Sequence, residues 1–382
     1  MDFESLFDIP IDDLHTPCYL TDARLLQKNT ALLKQIQQRT GCKILLAQKA
    51  FSMFSAYPLI RDDLAGTTAS GLFEAKLGRE RFGKEVHVFS PAYTQEDFTQ
   101  LLELCDHIVF NSFGQWKKYR QQVQDATRNI SCGIRINPGY AEVETDLYNP
   151  CISGSRMGVP LEQMEDDFAG MDGIHFHTMC EQNSDVLERT LDHMLPQFDK
   201  WLKRCKWVNF GGGHHITRPD YDVERLVRCI ERVRDTYGVQ VYLEPGEAVA
   251  LNAGYLVATV LDVVHNGMDI AILDASAACH MPDVLEMPYR PHILYSGTAG
   301  EKAYTYRLAG NTCLAGDVIG DYSFDHQLQA GEKLVFCDMA IYSMVKNNTF
   351  NGVPLPDIAL YQDGKIQLVK RFGYIDFEGR LS

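Results

Sequence analysis

Trp207-Val208-Asn209-Phe210-Gly211-Gly212-Gly213 is a short β-prone run that breaks into three consecutive glycines. Seven further runs are short, apolar and rich in β-formers: Lys43–Ala50, Ala65–Ser70, Glu85–Pro91, His107–Ser112, Cys132–Pro138, Gly173–Met179 and Val239–Gly246. Between them lie segments with helical periodicity, such as Leu72-Phe73-x-Ala75-Lys76-Leu77 and Val186-Leu187-x3-Leu191-x2-Met194-Leu195. Short strands alternating with helices read as βα units on a parallel sheet, and eight units over about 200–250 residues are what a (β/α)8 barrel requires. After Leu251 the texture changes to strand-like runs with Gly and Pro turns: Tyr255–Val264, Asp269–Asp274, Glu301–Leu308, Lys333–Phe336 and Ile366–Lys370. The expected fold is therefore α/β, a (β/α)8 TIM-like barrel over residues 24–251 with a C-terminal, mainly antiparallel β domain. That domain, sandwich- or barrel-like, takes residues 1–23 and 252–382, so that Thr16–Leu20 joins it.

Composition agrees with an ordinary globular chain: 382 residues, 45% hydrophobic and 23% charged, which excludes disordered, collagen-like and coiled-coil classes. The 36 Lys and Arg against 51 Asp and Glu leave a net charge of −15. A phosphate backbone or anionic membrane is bound by basic clusters, so neither nucleic acid nor membrane is an expected partner, whereas a cationic ligand is compatible. Eleven scattered cysteines without a C-x-x-C pair read as reduced thiols rather than a disulfide framework. The acidic start Met1-Asp2-Phe3-Glu4-Ser5 lacks the basic and apolar regions of a secretory signal, and a cytoplasmic setting is expected.

Catalytic groups in such barrels sit at the carboxyl ends of strands. Run one carries Lys49 there: a snorkelling surface lysine, or a desolvated amine able to form a Schiff base with an aldehyde. Run six carries His175 and His177 on one face. They are a structural pair, half of a metal site without convincing further ligands unless His214 and His215 supply them, or, for His177, a platform for a planar cofactor. No metal is expected. Gly211, Gly212 and Gly213 end run seven, where barrels commonly bind phosphate, and would let backbone N–H groups face an anion; the plain alternative is a turn. Glu244 and Glu247 end run eight; they are solvated acids, or Glu244 is the partner of a protonated ring nitrogen. Lysine, platform histidine, glycine cradle and carboxylate together form the inventory for pyridoxal 5'-phosphate.

Ala47-Gln48-Lys49-Ala50, Ser70-Gly71-Leu72-Phe73-Glu74-Ala75, Phe176-His177-Thr178-Met179-Cys180-Glu181-Gln182, Gly211-Gly212-Gly213-His214-His215 and Glu244-Pro245-Gly246-Glu247 resemble segments of the fold-type III, alanine-racemase-like pyridoxal phosphate decarboxylases. The likeness extends to Gly310–Asp317 and Met339–Tyr342 and is strongest to the carboxynorspermidine (carboxyspermidine) decarboxylase branch. The resemblance implies a carboxy-lyase of polyamine biosynthesis, acting as a homodimer with shared active sites on a polyamine-like substrate. It implies that Lys49 carries the cofactor, His177 stacks on it, Glu244 pairs with its ring nitrogen, and Gly211–Gly213 with Tyr342 hold its phosphate. Cys313 would act catalytically from the partner subunit, and Glu247, Asp283 and Asp317 would bind substrate. Two departures stand out. Leu314, not an acid, follows Cys313, which weakens the case for Asp317, and Glu247 replaces the arginine of the Glu-Pro-Gly-Arg pattern in ornithine and diaminopimelate decarboxylases. An anion there removes a phosphate ligand and offers a partner to an amine. The rival readings are a diaminopimelate decarboxylase-type enzyme, a metal-dependent barrel hydrolase built on His175, His177 and His214, and a non-catalytic pyridoxal phosphate carrier.

Overall fold

The computed structural model describes Glu4 and residues 7–382; of the segment expected to open the β domain, residues 1–3, 5 and 6 lie outside the described residues. The chain forms two compact units, one of Gln27–Val249 and one joining the chain up to Leu26 with Ala250–Ser382.

In the first unit eight parallel strands close into a barrel: β2 (Lys43–Ala47), β3 (Gly66–Ala69), β4 (Glu85–Phe89), β5 (His107–Phe110), β6 (Ser131–Asn137), β8 (Gly173–His175), β9 (Trp207–Asn209) and β10 (Gln240–Leu243). Their order is β5-β4-β3-β2-β10-β9-β8-β6, with β5 pairing back onto β6. Each strand coincides with one of the eight runs. Regular pairing stops short of the runs' ends, however: at His175, Asn209 and Leu243 the chain leaves the sheet, so Phe176–Cys180, Phe210–Gly213 and Glu244–Gly246 form the mouth. Six strands are followed by helix, the longest being Phe113–Gln124, Ser184–Leu202 and Val223–Tyr237, and β10 by the single turn Glu247–Ala250. The segment after β6 has no such helix, only the strand β7 (Val159–Pro160) beside β6 and short 3-10 turns. The Ser184–Leu202 helix buries Val186, Leu187, Leu191, Met194, Leu195 and Phe198 as its apolar spacing predicts.

The barrel interior is closed by one large side chain set against absent ones. Trp207 of β9 is in register with Gly173 of β8, which is in register with Gly133 of β6. A Cβ at Gly173 would stand 2.1 Å from the indole, and one at Gly133 2.3 Å. The indole N–H donates to Ser131 Oγ at 2.8 Å, so its polar atom is satisfied where its ring is buried.

The second unit is a nine-stranded sheet. Strand β1 (Cys18–Asp22) lies between β11 (Gly254–His265), to which it is antiparallel, and β17 (Asp357–Gln362), to which it is parallel. Strands β12 (Asp269–Leu273), β14 (Tyr304–Ala309), β15 (Val318–Phe324) and β13 (Gly297–Thr298) continue past β11, β16 (Lys333–Cys337) also pairs with β11, and β18 (Lys365–Lys370) closes the other edge. The sheet is mainly antiparallel, with β12–β14 and β1–β17 as parallel exceptions. Strands β15 and β17 escaped the sequence reading. Among the described residues no helix is long and apolar enough to cross a membrane.

Gly173→Ala is expected to cost at least about 2 kcal/mol in urea unfolding, because a well-packed core resists added volume. Trp207→Leu in the same chain should recover part of that loss; no recovery would mean that the indole is not what the methyl group meets.

Candidate active site

Four strand ends converge on the mouth. Lys49 stands in the turn after β2, reached by solvent, and among the described residues no hydrogen bond or ion pair engages its amine. Protein nevertheless crowds it on all sides: burial and the Arg135 cation lower the amine's pKa, against Glu247 and Glu244, which raise it.

Glu244 follows β10 and is 7% exposed. Its Oε1 accepts from Asn209 Nδ2 at 2.8 Å and its Oε2 meets His175 Nε2 at 3.2 Å. Burial alone would push this carboxyl up, yet the His175 and Asn209 contacts outweigh it and hold the carboxyl below its ordinary value. Burial also drives His175 below its ordinary value, so the ring is neutral and its Nε2–H donates. The Nδ1 of His175 is buried without a partner. Glu244 is thus an ionised, buried carboxylate whose only direct partners are neutral donors among the described residues.

His177 is half-buried, and its Nδ1 accepts from the Gly212 N–H at 3.2 Å. An accepting Nδ1 puts the proton on Nε2, and burial together with Lys49 and Arg135 holds the pKa well below its usual value, so this ring too is neutral. The glycines are shaped by the protein as much as for a ligand. A Cβ on Gly212 would stand 2.7 Å from the Glu244 carbonyl, and one on Gly213, at φ +83°, 2.0 Å from that of Met179. The Gly211 N–H is spent on Asn209 Oδ1 and that of Gly212 on His177, so two of the three amides expected to face an anion are already engaged.

Arg135, in the middle of β6 and 5% exposed, was missed from the sequence. Its guanidinium donates to the His177 carbonyl at 3.3 Å and lies 4.6 Å over the Phe89 ring. Burial brings its pKa down to about 10 against the pull of Glu244, so it remains a cation inside the barrel. A lone arginine in the apolar run Cys132–Pro138 was the available signal. Cys180 lines the mouth as a thiol, raised to about 12 by burial, Glu247 and Glu181.

The remaining predicted residues belong to the β unit. Tyr342 is half-buried with φ +50°, a conformation costly for a tyrosine. Asp283 begins the turn Asp283–Glu286, and its carboxylate is held by Lys346, which also bonds Glu286 at 2.6 Å. Cys313 is exposed on a loop whose Cys313 N–H donates to Asn351 Oδ1 at 2.8 Å. Asp317, expected to contact substrate, is engaged within the fold. Asp317 is 2% exposed, and its carboxylate accepts from Ser276 Oγ, Thr312 Oγ1 and the Ala278 N–H at 2.8, 2.7 and 3.2 Å. Those bonds leave it holding the Cys313 loop instead. The metal-hydrolase alternative also fails. His175 is committed to Glu244, His177 to Gly212 and His214, through Nε2, to the Phe210 carbonyl, and the three form no ligand cluster among the described residues.

The barrel, the β sheet and this mouth define a pyridoxal-dependent decarboxylase, and the chain belongs to that family: the family model for the pyridoxal-dependent decarboxylase C-terminal sheet domain matches residues 18–340. Among curated relatives, the carboxynorspermidine/carboxyspermidine decarboxylase of Campylobacter jejuni is 42% identical over 97% of this chain and 99% of its own length. The carboxyaminopropylagmatine decarboxylase of Synechocystis is 41% identical over 97% of this chain and 96% of its own. The crystal structure of the Campylobacter jejuni carboxynorspermidine decarboxylase complexed with norspermidine superposes with a TM-score of 0.89 at 41% identity, covering 96% of this chain and all of that one. Diaminopimelate decarboxylases are more distant, at 21% identity for that of Escherichia coli.

The residues fit the cofactor that the family name implies. A solvent-reached, unpaired amine suits an aldehyde, a neutral half-buried ring suits a planar face, and a buried carboxylate with only neutral donors suits a protonated ring nitrogen.

The buried neutral histidines make the cofactor-free protein acid-sensitive. His175, His177 and His214, the last at about 4, stay unprotonated when folded but take up protons once unfolded. Stability is therefore full above about pH 6.5 and falls as pH drops below it, by about 1.4 kcal/mol per pH unit for each proton. Glu244, depressed below its ordinary 4.5, adds a further loss below about pH 4.5. In urea unfolding between pH 6.5 and 4.5, His214→Gln should reduce the slope by about one proton's worth; an unchanged slope would contradict the buried neutral assignment.

Proposed function

We propose that the protein is a pyridoxal phosphate-dependent decarboxylase that converts carboxynorspermidine and carboxyspermidine to norspermidine and spermidine with release of CO2. The observation that carries this reading is Glu247. It opens the turn after β10, close enough to Lys49 and Cys180 for its charge to raise both groups. A mouth with an acid there suits the ammonium groups of a long triamine, whereas the distal carboxylate of diaminopimelate would be repelled.

Lys49 is the residue that binds the cofactor covalently. Its amine is held towards the neutral form by burial, and a neutral amine is the nucleophile. His177 offers its neutral ring as the platform, and the Gly211–Gly213 loop takes the phosphate through the Gly213 N–H, the Gly211 and Gly212 amides being engaged by Asn209 and His177; the phosphate role of Tyr342 rests on the resemblance alone. Glu244, ionised in a dry site, holds the proton on the ring nitrogen. When bound, pyridoxal phosphate supplies an electron sink for the pair left behind as the α-carboxylate departs as CO2. Cys313 of a partner subunit, or Lys49, then delivers a proton to the α-carbon. Asp283, which with Glu286 already holds the Lys346 ammonium, is the further acid assigned to an amino group of the substrate. The working form is a homodimer with shared active sites in the cytoplasm, a setting that suits eleven free cysteines.

A second reading has specific support. The Synechocystis relative acts, by its name, on carboxyaminopropylagmatine, and its identity is nearly equal; a guanidinium would meet Glu247 as an ammonium does.

Product assays of purified, cofactor-loaded protein on the three carboxylated substrates, diaminopimelate and ornithine test the proposal. Turnover of the carboxy-triamines is expected; turnover of diaminopimelate or ornithine alone would sink it, and preference for carboxyaminopropylagmatine would establish the second reading. Lys49→Ala should lose the visible cofactor band and reduce decarboxylation by at least about a thousandfold. Glu247→Arg should lower kcat/KM for the triamines by about a hundredfold with little change in cofactor affinity.

A further inference from the structure

At the amino ends of the strands, opposite the mouth, the barrel carries a second polar cluster. Glu85 opens β4, His107 opens β5 in register with His87, and Lys43 opens β2 in register with Tyr242. One ligand atom from each of Glu85, His87 and His107 lies within 4.8 Å of the others. The two imidazoles are stacked, 3.9 Å between centroids and 9° from parallel. His87 is 1% exposed, and the Nδ1 atoms of both rings are buried without a partner. Buried, unpaired ring nitrogens are costly in a folded protein unless something occupies them.

The geometry points to a divalent metal site of the zinc class at the barrel floor, with Glu85, His87 and His107 as ligands. Two imidazoles and one carboxylate are a recurrent zinc set, leaving a fourth position for water. An imidazole binds an ion in its own ring plane, so one ring must turn out of the stack to bring the ligand atoms to the about 3.4 Å of such sites; no hydrogen bond at either Nδ1 resists that turn. The carboxylate is already divided: Oε1 is held by Lys43, while Oε2 faces His87 Nε2 at 3.2 Å and the Tyr242 hydroxyl at 3.2 Å. Lys43 thus neutralises Glu85 in the metal-free state and leaves Oε2 for the ion. The ring nitrogen that takes the ion must be unprotonated, so any proton it carries passes to solvent. Glu85 and His107 are only half-buried, so the floor leaves them within reach of an ion. The site shares no ligand with Lys49, His177 or Glu244.

The test is a zinc titration of chelator-stripped, cofactor-free protein against a chromogenic chelator. One zinc per chain is expected, weakened at least tenfold by His107→Gln and by Glu85→Gln, and tightened by Lys43→Met, which removes the competing cation. No zinc retained by the unmodified chain, or equal affinity in His107→Gln, would overturn the assignment. X-ray absorption of the zinc-loaded protein keeps the question decidable if a variant fails to fold. Nitrogen and oxygen ligands alone support the site, whereas a zinc–sulfur distance near about 2.3 Å would move the ion to the cysteines.

Discussion

The mouth of the barrel depends on keeping one carboxylate ionised where water is scarce. Glu244 achieves this with two neutral donors from adjacent strands, Asn209 on β9 and His175 on β8. They reach it because β8, β9 and β10 are in register: His175 is opposite Asn209, and Asn209 opposite Tyr242. A slip of one residue would turn those side chains to the other face of the sheet. The backbone joins in, since the Glu244 N–H donates to the Gly211 carbonyl. Asn209 is shared, its amide serving Glu244 and its carbonyl oxygen the Gly211 N–H. Charge, register and loop conformation are therefore one arrangement.

The glycines after β9 follow from the same crowding. Strand ends of β8, β9 and β10 come so close that any side chain at 211–213 would strike a carbonyl of a neighbouring segment. The closeness lets Gly212 hold His177 in one tautomer, while burial and the neighbouring Lys49 and Arg135 keep its ring neutral. Arg135 completes the balance. Its buried cation lowers the Lys49 amine while its hydrogen bond anchors the His177 carbonyl.

Much of this was legible in the chain. Eight β-prone runs correspond to eight barrel strands because a parallel strand buried on both faces must be apolar along its length, a pattern visible without tertiary information. Strand ends were read too long, since apolar mouth residues such as Phe176 and Phe210 look like strand until hydrogen-bonded partners are known. Strands β15 and β17 were missed: polar residues interrupt them, and their pairing with β14 and β1 is non-local. The setting of Asp317 was hidden for a similar reason: its partner Ser276 lies 41 residues away.

The sequence by itself determined the class of architecture and the types of group at the mouth, because both are carried by local composition: apolar runs, a lysine, a histidine, glycines and two acids at strand ends. Only the tertiary structure decided the state of those groups. Whether an amine is nucleophilic, an imidazole neutral or a carboxylate ionised depends on desolvation and on partners brought from distant segments. Here those partners, Asn209 and His175 for Glu244, Gly212 for His177 and Arg135 for Lys49, come from β6, β8, β9 and the loop after β9, which meet only when the barrel closes.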